Sequence, residues 1–180
     1  LNPDYNGEKQ AGAFQYQVTH KNGGRCSAAK AFLTPNLSRP NLKVITHAVS
    51  AKVTLEGRRA TGVAYHQGGA VQTVQARREV ILSAGAFGSP QLLQLSGIGP
   101  AALLREHGVE VVHDLPGVGA NLQDHLQIRA VYKVQGVKTL NVLANSLWGK
   151  AMIGLEYALK QSGPMSMAPS QLGAFTRSSP

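Results

Sequence analysis

Residues 80–99, VILSAGAFGSPQLLQLSGIG, place a short apolar run, a turn of small residues and a helix start in immediate succession. Val80, Ile81 and Leu82 are apolar without alternation, which predicts a strand covered on both faces. Ser83-Ala84-Gly85-Ala86 then offers a backbone that a ligand can approach closely. Ser89 and Pro90 read as N-cap and first residue of a helix running to about Leu95. The free N–H groups and partial positive charge of such a helix start favour a phosphate or pyrophosphate without any lysine. The same spacing also suits an ordinary strand-turn-helix whose glycines serve only close packing.

Upstream, three alternating runs, Lys52–Leu55, Thr61–His66 and Val71–Gln75, are separated by Glu56-Gly57-Arg58 and Gln67-Gly68-Gly69, which predicts an antiparallel meander. Leu42–Ile45 reads as a short buried strand, and residues 13–19 as another, followed by a hairpin-type turn at Lys21-Asn22-Gly23-Gly24. Ser27 can cap a short Ala-rich helix that Thr34-Pro35 ends. Downstream, Ser96-Gly97 stops the first helix, and Gly99-Pro100 opens a second that ends at His107-Gly108. A strand over Val109–Val112 and a glycine-rich loop over Leu115–His125 follow.

From Gln127 the pattern predicts a strand through Val134 and a helix from about Asn145 to Gln161. Trp148, Met152, Leu155 and Leu159 form a stripe on that helix, which reads as core. Ser162-Gly163-Pro164 stops the helix, and Ser170–Thr176 reads as a last strand.

Composition narrows the partners. The 180 residues carry 18 Lys and Arg against 9 acids, a net charge of +9, and eleven of those cations face only four acids before residue 80. The cations are scattered singly or in pairs, such as Arg58-Arg59 and Arg77-Arg78, without interleaved aromatics, so no nucleic-acid partner is expected. An acidic surface, an anionic cofactor or a membrane surface would equally account for the charge.

The lone Cys26 permits no internal disulfide and carries no pattern that suggests a reactive thiol. Asn36-Leu37-Ser38 fits a glycosylation sequon but has no secretory signal beside it. No apolar run is long enough to span a bilayer. The expected location is cytoplasmic, with peripheral membrane association as an alternative. Leu1 in place of Met, and an end at Pro180 just after a strand, read as a segment of a longer protein.

The fifteen residues Gly85–Gly99 resemble the second signature of the glucose-methanol-choline (GMC) family of flavin-dependent alcohol oxidoreductases. Further landmarks stand in family order. They are Asp4-Tyr5-Asn6-Gly7, Gly24-Arg25 with Ser27-Ala28-Ala29, Arg39-Pro40-Asn41-Leu42 followed by Val44, and Arg59-Ala60 with Gly62-Val63. Leu115-Pro116-Gly117-Val118-Gly119 and Asn121-Leu122-Gln123-Asp124-His125 complete the set.

The resemblance implies an α+β fold: the central part of an FAD-binding domain, with its meander and strand-turn-helix, over 1–126, and the start of an antiparallel-sheet substrate domain over 127–180. It also implies FAD in the full-length protein, an alcohol CH–OH donor oxidised to a carbonyl, and an electron acceptor. The segment alone is expected to retain neither FAD nor activity. The family's G-x-G-x-x-G fingerprint and its late catalytic histidine pair are absent from these residues, so no catalytic residue is assigned.

The resemblance places Ser83, Ala84, Gly85 and Ala86 against the ADP part of FAD. It places Val49 near adenine, and Asn121, Leu122, Asp124 and His125 beside the flavin or bracing the residues that border it. The reading of residues 121–125 as simple loop capping stays open. His125 is the tempting base, but in the family the base lies elsewhere. His20, His47, His66, His107 and His113 have no partners at metal-ligand spacing, so no metal is expected.

Choline-oxidising members often carry an acid near the position of Gln171. Its neutrality here points to a neutral alcohol at the substrate site in preference to choline. Two other readings compete with an alcohol-oxidising flavoenzyme: a basic interaction module for nucleic acid or an acidic partner, and a scaffold domain that has lost its cofactor.

Overall fold

A computed structural model describes residues 1–168 and 170–177. In chain order the first elements are strands β1 (Gly12–Gln15), β2 (His20–Lys21) and β3 (Gly24–Arg25). Next come β4 (Val49–Glu56), β5 (Arg59–Gln67) and β6 (Ala70–Gln75). Helix α1 (Gly85–Leu95), strand β7 (Ile98–Gly99), helix α2 (Ala101–Glu106) and strand β8 (His113–Asp114) follow. Helices α3 (Leu140–Ala144) and α4 (Leu147–Lys160) and strand β9 (Leu172–Phe175) complete the order. The chain forms two compact units, one of residues 1–43 with 131–180 and one of residues 44–130.

The unit of residues 44–130 is built on the expected meander. β4, β5 and β6 pair antiparallel in sequence order, with Val53 opposite Val63 and Val63 opposite Val74. A bulge between Ser50 and Lys52 leaves Ala51 without a partner. Helix α1 packs against β4, and Val53, Ala64, Tyr65, Leu92 and Leu104 are buried in this unit.

α1 is fastened to the free edge of β4 through Ser96, its C-cap, which is only 7% exposed. The Ser96 hydroxyl accepts from the Val53 N–H at 2.8 Å and donates to the Leu92 carbonyl at 2.6 Å. Beyond α1 the chain reverses, and β7 pairs parallel with β8, Ile98 opposite His113. The Asp114 carboxylate accepts from the Ala101 N–H at 2.9 Å and so caps α2.

In the other unit, β1 pairs antiparallel with β9, Gly12 opposite Phe175 and Phe14 opposite Gly173. Tyr5, Phe14, Tyr16 and Phe175 cluster around this ladder, with Tyr5 stacked on Phe14 at 4.0 Å and Phe14 only 2% exposed. β2 and β3 form the expected hairpin. Ser146 caps α4 by accepting from the Gly149 N–H at 2.9 Å, and left-handed Gln161 ends it.

Several local expectations are corrected. Val80–Ser83 pairs with no strand among the described residues, and Ile81 is 76% exposed. An apolar run becomes a strand only when a neighbour completes its hydrogen bonds. Leu42–Ile45 and Gln127–Val134 are likewise unpaired. Strand pairing beside β7 falls on His113–Asp114, not Val109–Val112. The first strand is shorter than residues 13–19, ending at Gln15.

The segment after Ser27 is a π-helix over Ala29–Leu33. A 3₁₀ turn over Thr34–Asn36 follows it, with Pro35 accepted inside its first turn. Helix α1 starts at Gly85, so Ser89 and Pro90 lie within it and not at its start. The stripe of Trp148, Met152, Leu155 and Leu159 is not core here: all four are exposed, Trp148 at 76%. They line a groove of about 640 Å³ with Leu143 and Pro164.

Candidate cofactor-facing site

Helix α1 begins through the conformation of one residue. Gly85 has φ +82°, in the left-handed region, and this turns the chain out of the Val80–Ser83 run into the helix. The hydroxyl of Ser89 reaches back to accept from the Ala84 N–H at 3.0 Å. Ser89 therefore does satisfy a donor at the helix start, although from inside the first turns. The N–H groups of Ala86 and Phe87 are among those a helix start leaves without intrahelical partners, and no side chain among the described residues accepts from them. Pro90 removes one further donor and leaves the Ala86 carbonyl without its helical partner.

Facing this helix start is the glycine-rich loop. Leu115 is anchored by its N–H to the Gly99 carbonyl at 2.9 Å, and turns follow from Val118 N–H to Leu115 and from Ala120 N–H to Gly117. The helix flank and the loop enclose a hollow of about 380 Å³. Ala86, Phe87, Pro90, Gln91 and Gln94 line one side, and Gly117, Val118, Gly119, Ala120 and Leu122 the other.

Of the residues assigned from sequence, the hollow brings together Ala86 and Leu122. Ser83, Ala84 and Gly85 lead into it along the chain, exposed. Asn121 is held at φ +57° next to Leu122. Asp124 and His125 lie outside the lining, exposed, with the Asp124 carboxylate accepting from the His125 N–H at 2.8 Å. Val49 opens β4 opposite His66, also away from the hollow. Gln171 belongs to the other unit, where its carbonyl accepts from the Tyr16 N–H at 2.9 Å and its side chain is exposed.

Gln94, like Phe87, Gln91 and Val118, is a lining residue that sequence reasoning does not single out as a site residue. The available signal is a pair of amides among the leucines of Gln91-Leu92-Leu93-Gln94-Leu95. Among the described residues no group of three or more His, Cys, Asp or Glu could hold a metal ion. No helix among them is long and apolar enough to cross a membrane.

The family model for GMC oxidoreductases matches residues 1–127. The chain belongs to this family. It is 48% identical over 175 residues to an oxygen-dependent choline dehydrogenase of Brucella anthropi, covering 97% of this chain and 32% of that protein. It is 46% identical over 183 residues to an alcohol dehydrogenase (acceptor) of Pseudomonas putida, covering 100% of this chain and 33% of that one.

Among solved structures, an FAD-dependent oxidoreductase from Chaetomium thermophilum superposes with a TM-score of 0.80 at 31% identity. That match covers 89% of this chain and 29% of the other. A formate oxidase matches with a TM-score of 0.74 at 30% identity, covering 88% of this chain and 27% of the other. The chain thus spans about a third of the length of the curated relatives it matches. The α+β architecture expected from the resemblance is that of these flavoenzymes.

Proposed function

We propose that the whole protein containing this chain is an FAD-dependent oxidoreductase that converts an alcohol CH–OH group to a carbonyl and passes the electrons to an acceptor. The observation that carries the reading is family membership through residues 1–127, together with relatives at 46% and 48% identity that are named as alcohol and choline dehydrogenases. Bound FAD would supply the hydride acceptor, and the protein's part is orientation and electrostatics.

The residues at the start of α1 fit an anionic dinucleotide. Gly85 stands in open space, with nothing within 4 Å of where its Cβ would lie, and its neighbours Ser83, Ala84 and Ala86 are small. The adjoining first-turn N–H groups of Ala86 and Phe87 are free donors for a pyrophosphate. Ala86 with Leu122 would border the cofactor through the hollow, and Asn121, Asp124 and His125 would shape the chain leaving it. Val49 is assigned to the adenine side by the family resemblance. The boundary between cofactor and substrate domains belongs near residue 126.

The test is the absorption spectrum of the full-length protein, with flavin bands that bleach when an alcohol is added without oxygen. A colourless full-length protein that FAD cannot reconstitute would defeat the proposal.

For the substrate, neutral Gln171 supports an uncharged alcohol over choline. Converting it by Gln171→Glu places a carboxylate that would favour a quaternary ammonium by about 1 kcal/mol if the two lie close in a solvated site. The expected result is a roughly fivefold shift of kcat/KM toward choline relative to a neutral alcohol. Comparable wild-type turnover of the two substrates, or an unchanged ratio in the variant, would remove Gln171 from the specificity argument. A cytoplasmic location, with peripheral membrane attachment as the alternative, is part of the same proposal and is decided by cell fractionation.

A further inference from the structure

We propose that Gln94 is a positioning residue that fixes the glycine-rich loop against helix α1, and through it the width of the cofactor-facing hollow. The inference rests on the reading of that hollow as one wall of the flavin site. The Gln94 side-chain amide donates from Nε2 to the Val118 carbonyl at 3.1 Å. Besides the anchor of Leu115 to Gly99, this is the one hydrogen bond among the described residues that ties residues 115–125 to the rest of the unit. The other bonds in that stretch close turns within it.

The fit around the amide is tight. Gly119 has φ +83°, and a Cβ there would stand 2.8 Å from Gln94 Nε2. A Cβ on Gly99 would stand 3.0 Å from Gln94 Cγ. The side chain therefore fills the crease between two glycine backbones, and its donor meets the Val118 carbonyl. Val118 lies three residues before Asn121 and four before Leu122. Holding its carbonyl holds the chain that leads to the residues expected beside the flavin. A leucine at this position would fill the crease but leave the loop free to ride up and down the helix.

The test uses the full-length protein and two variants. Gln94→Met keeps the volume and loses the donor, and Gln94→Asn keeps the amide but falls one methylene short. In each, amide exchange of residues 115–122 is expected to accelerate about 2- to 13-fold, the worth of one ordinary hydrogen bond. The FAD dissociation constant is expected to rise by a similar factor with a shift in the flavin absorption maxima, which a purely structural role would leave in place.

Unchanged exchange in either folded variant overturns the clamp. Faster exchange with unaltered FAD affinity and spectrum overturns the positioning role, because the loop then moves without touching the cofactor. Failure of the flavin reading itself is separately visible, as a wild-type protein that binds no FAD.

Discussion

Replacing Ser96 by alanine removes a single oxygen at the joint between α1 and the meander. Ser96 is 7% exposed, so water does not readily replace that oxygen. The Leu92 carbonyl keeps a partner, since the Ser96 backbone N–H also donates to it at 3.1 Å. The Val53 N–H does not. It points away from β5 to the Ser96 hydroxyl at 2.8 Å, and Val53 is itself buried in the face that α1 covers. The cost is therefore that of one buried donor left unpaired, about 1–3 kcal/mol.

Expressed as local opening of β4, this is roughly a 5- to 150-fold increase. Amide exchange by mass spectrometry on the full-length protein reads it directly. Peptides covering residues 50–56 should exchange faster by that factor in S96A, and peptides covering β9 should not change. Exchange of the β4 peptides within twofold of wild type would refute the reasoning, because the hydroxyl would then be dispensable to the joint.

Three other substitutions probe the same frame. Gly85→Ala meets no steric obstacle but must hold a left-handed residue at the start of α1; it is expected to cost about 1–2 kcal/mol and to weaken FAD binding in the full-length protein. An unchanged FAD dissociation constant would separate this turn from the cofactor. Asp114→Ala deprives the Ala101 N–H of its acceptor at the start of α2, with an expected loss of about 0.5–2 kcal/mol in urea denaturation. An unchanged midpoint would show that solvent replaces the carboxylate. Gly173→Ala would drive a Cβ to 2.7 Å from the Tyr16 hydroxyl and 2.9 Å from the Phe14 ring, overpacking the aromatic cluster by about 1–3 kcal/mol. A thermal midpoint equal to wild type would mean that the rings move aside freely.

Local patterns with a short reach were legible in the residues themselves. The meander follows from alternation and glycine turns at Glu56–Arg58 and Gln67–Gly69, since a two-residue reversal places each strand beside the last without help from elsewhere. The stops at Ser96-Gly97, His107-Gly108 and Ser162-Gly163-Pro164 follow from glycines at positive φ, backbone that only a few residue types accept readily. The family, and with it the cofactor, was legible for a different reason: Gly85–Gly99 and the landmarks around it match as a series of residue types in order.

Tertiary structure decided whatever depends on a distant neighbour. Whether Val80–Ser83 becomes a strand, and whether the Trp148 stripe is covered, depends on partners that apolarity calls for but does not provide. Ile81 and the four side chains of the stripe are exposed, whereas Val80 and Leu82 are half-buried. The pairing of β1 with β9 joins residues 157 to 163 apart in sequence, Gln15 with Leu172 at one end and Gly12 with Phe175 at the other, and no local pattern encodes such a partner. The meeting of Gln94 with Val118 is of the same kind. The order of residue types determined which family the chain belongs to, because the signature and its flanking landmarks carry it. Which side chains meet to shape the hollow was decided only when the backbone brought α1 and the glycine-rich loop within hydrogen-bonding distance.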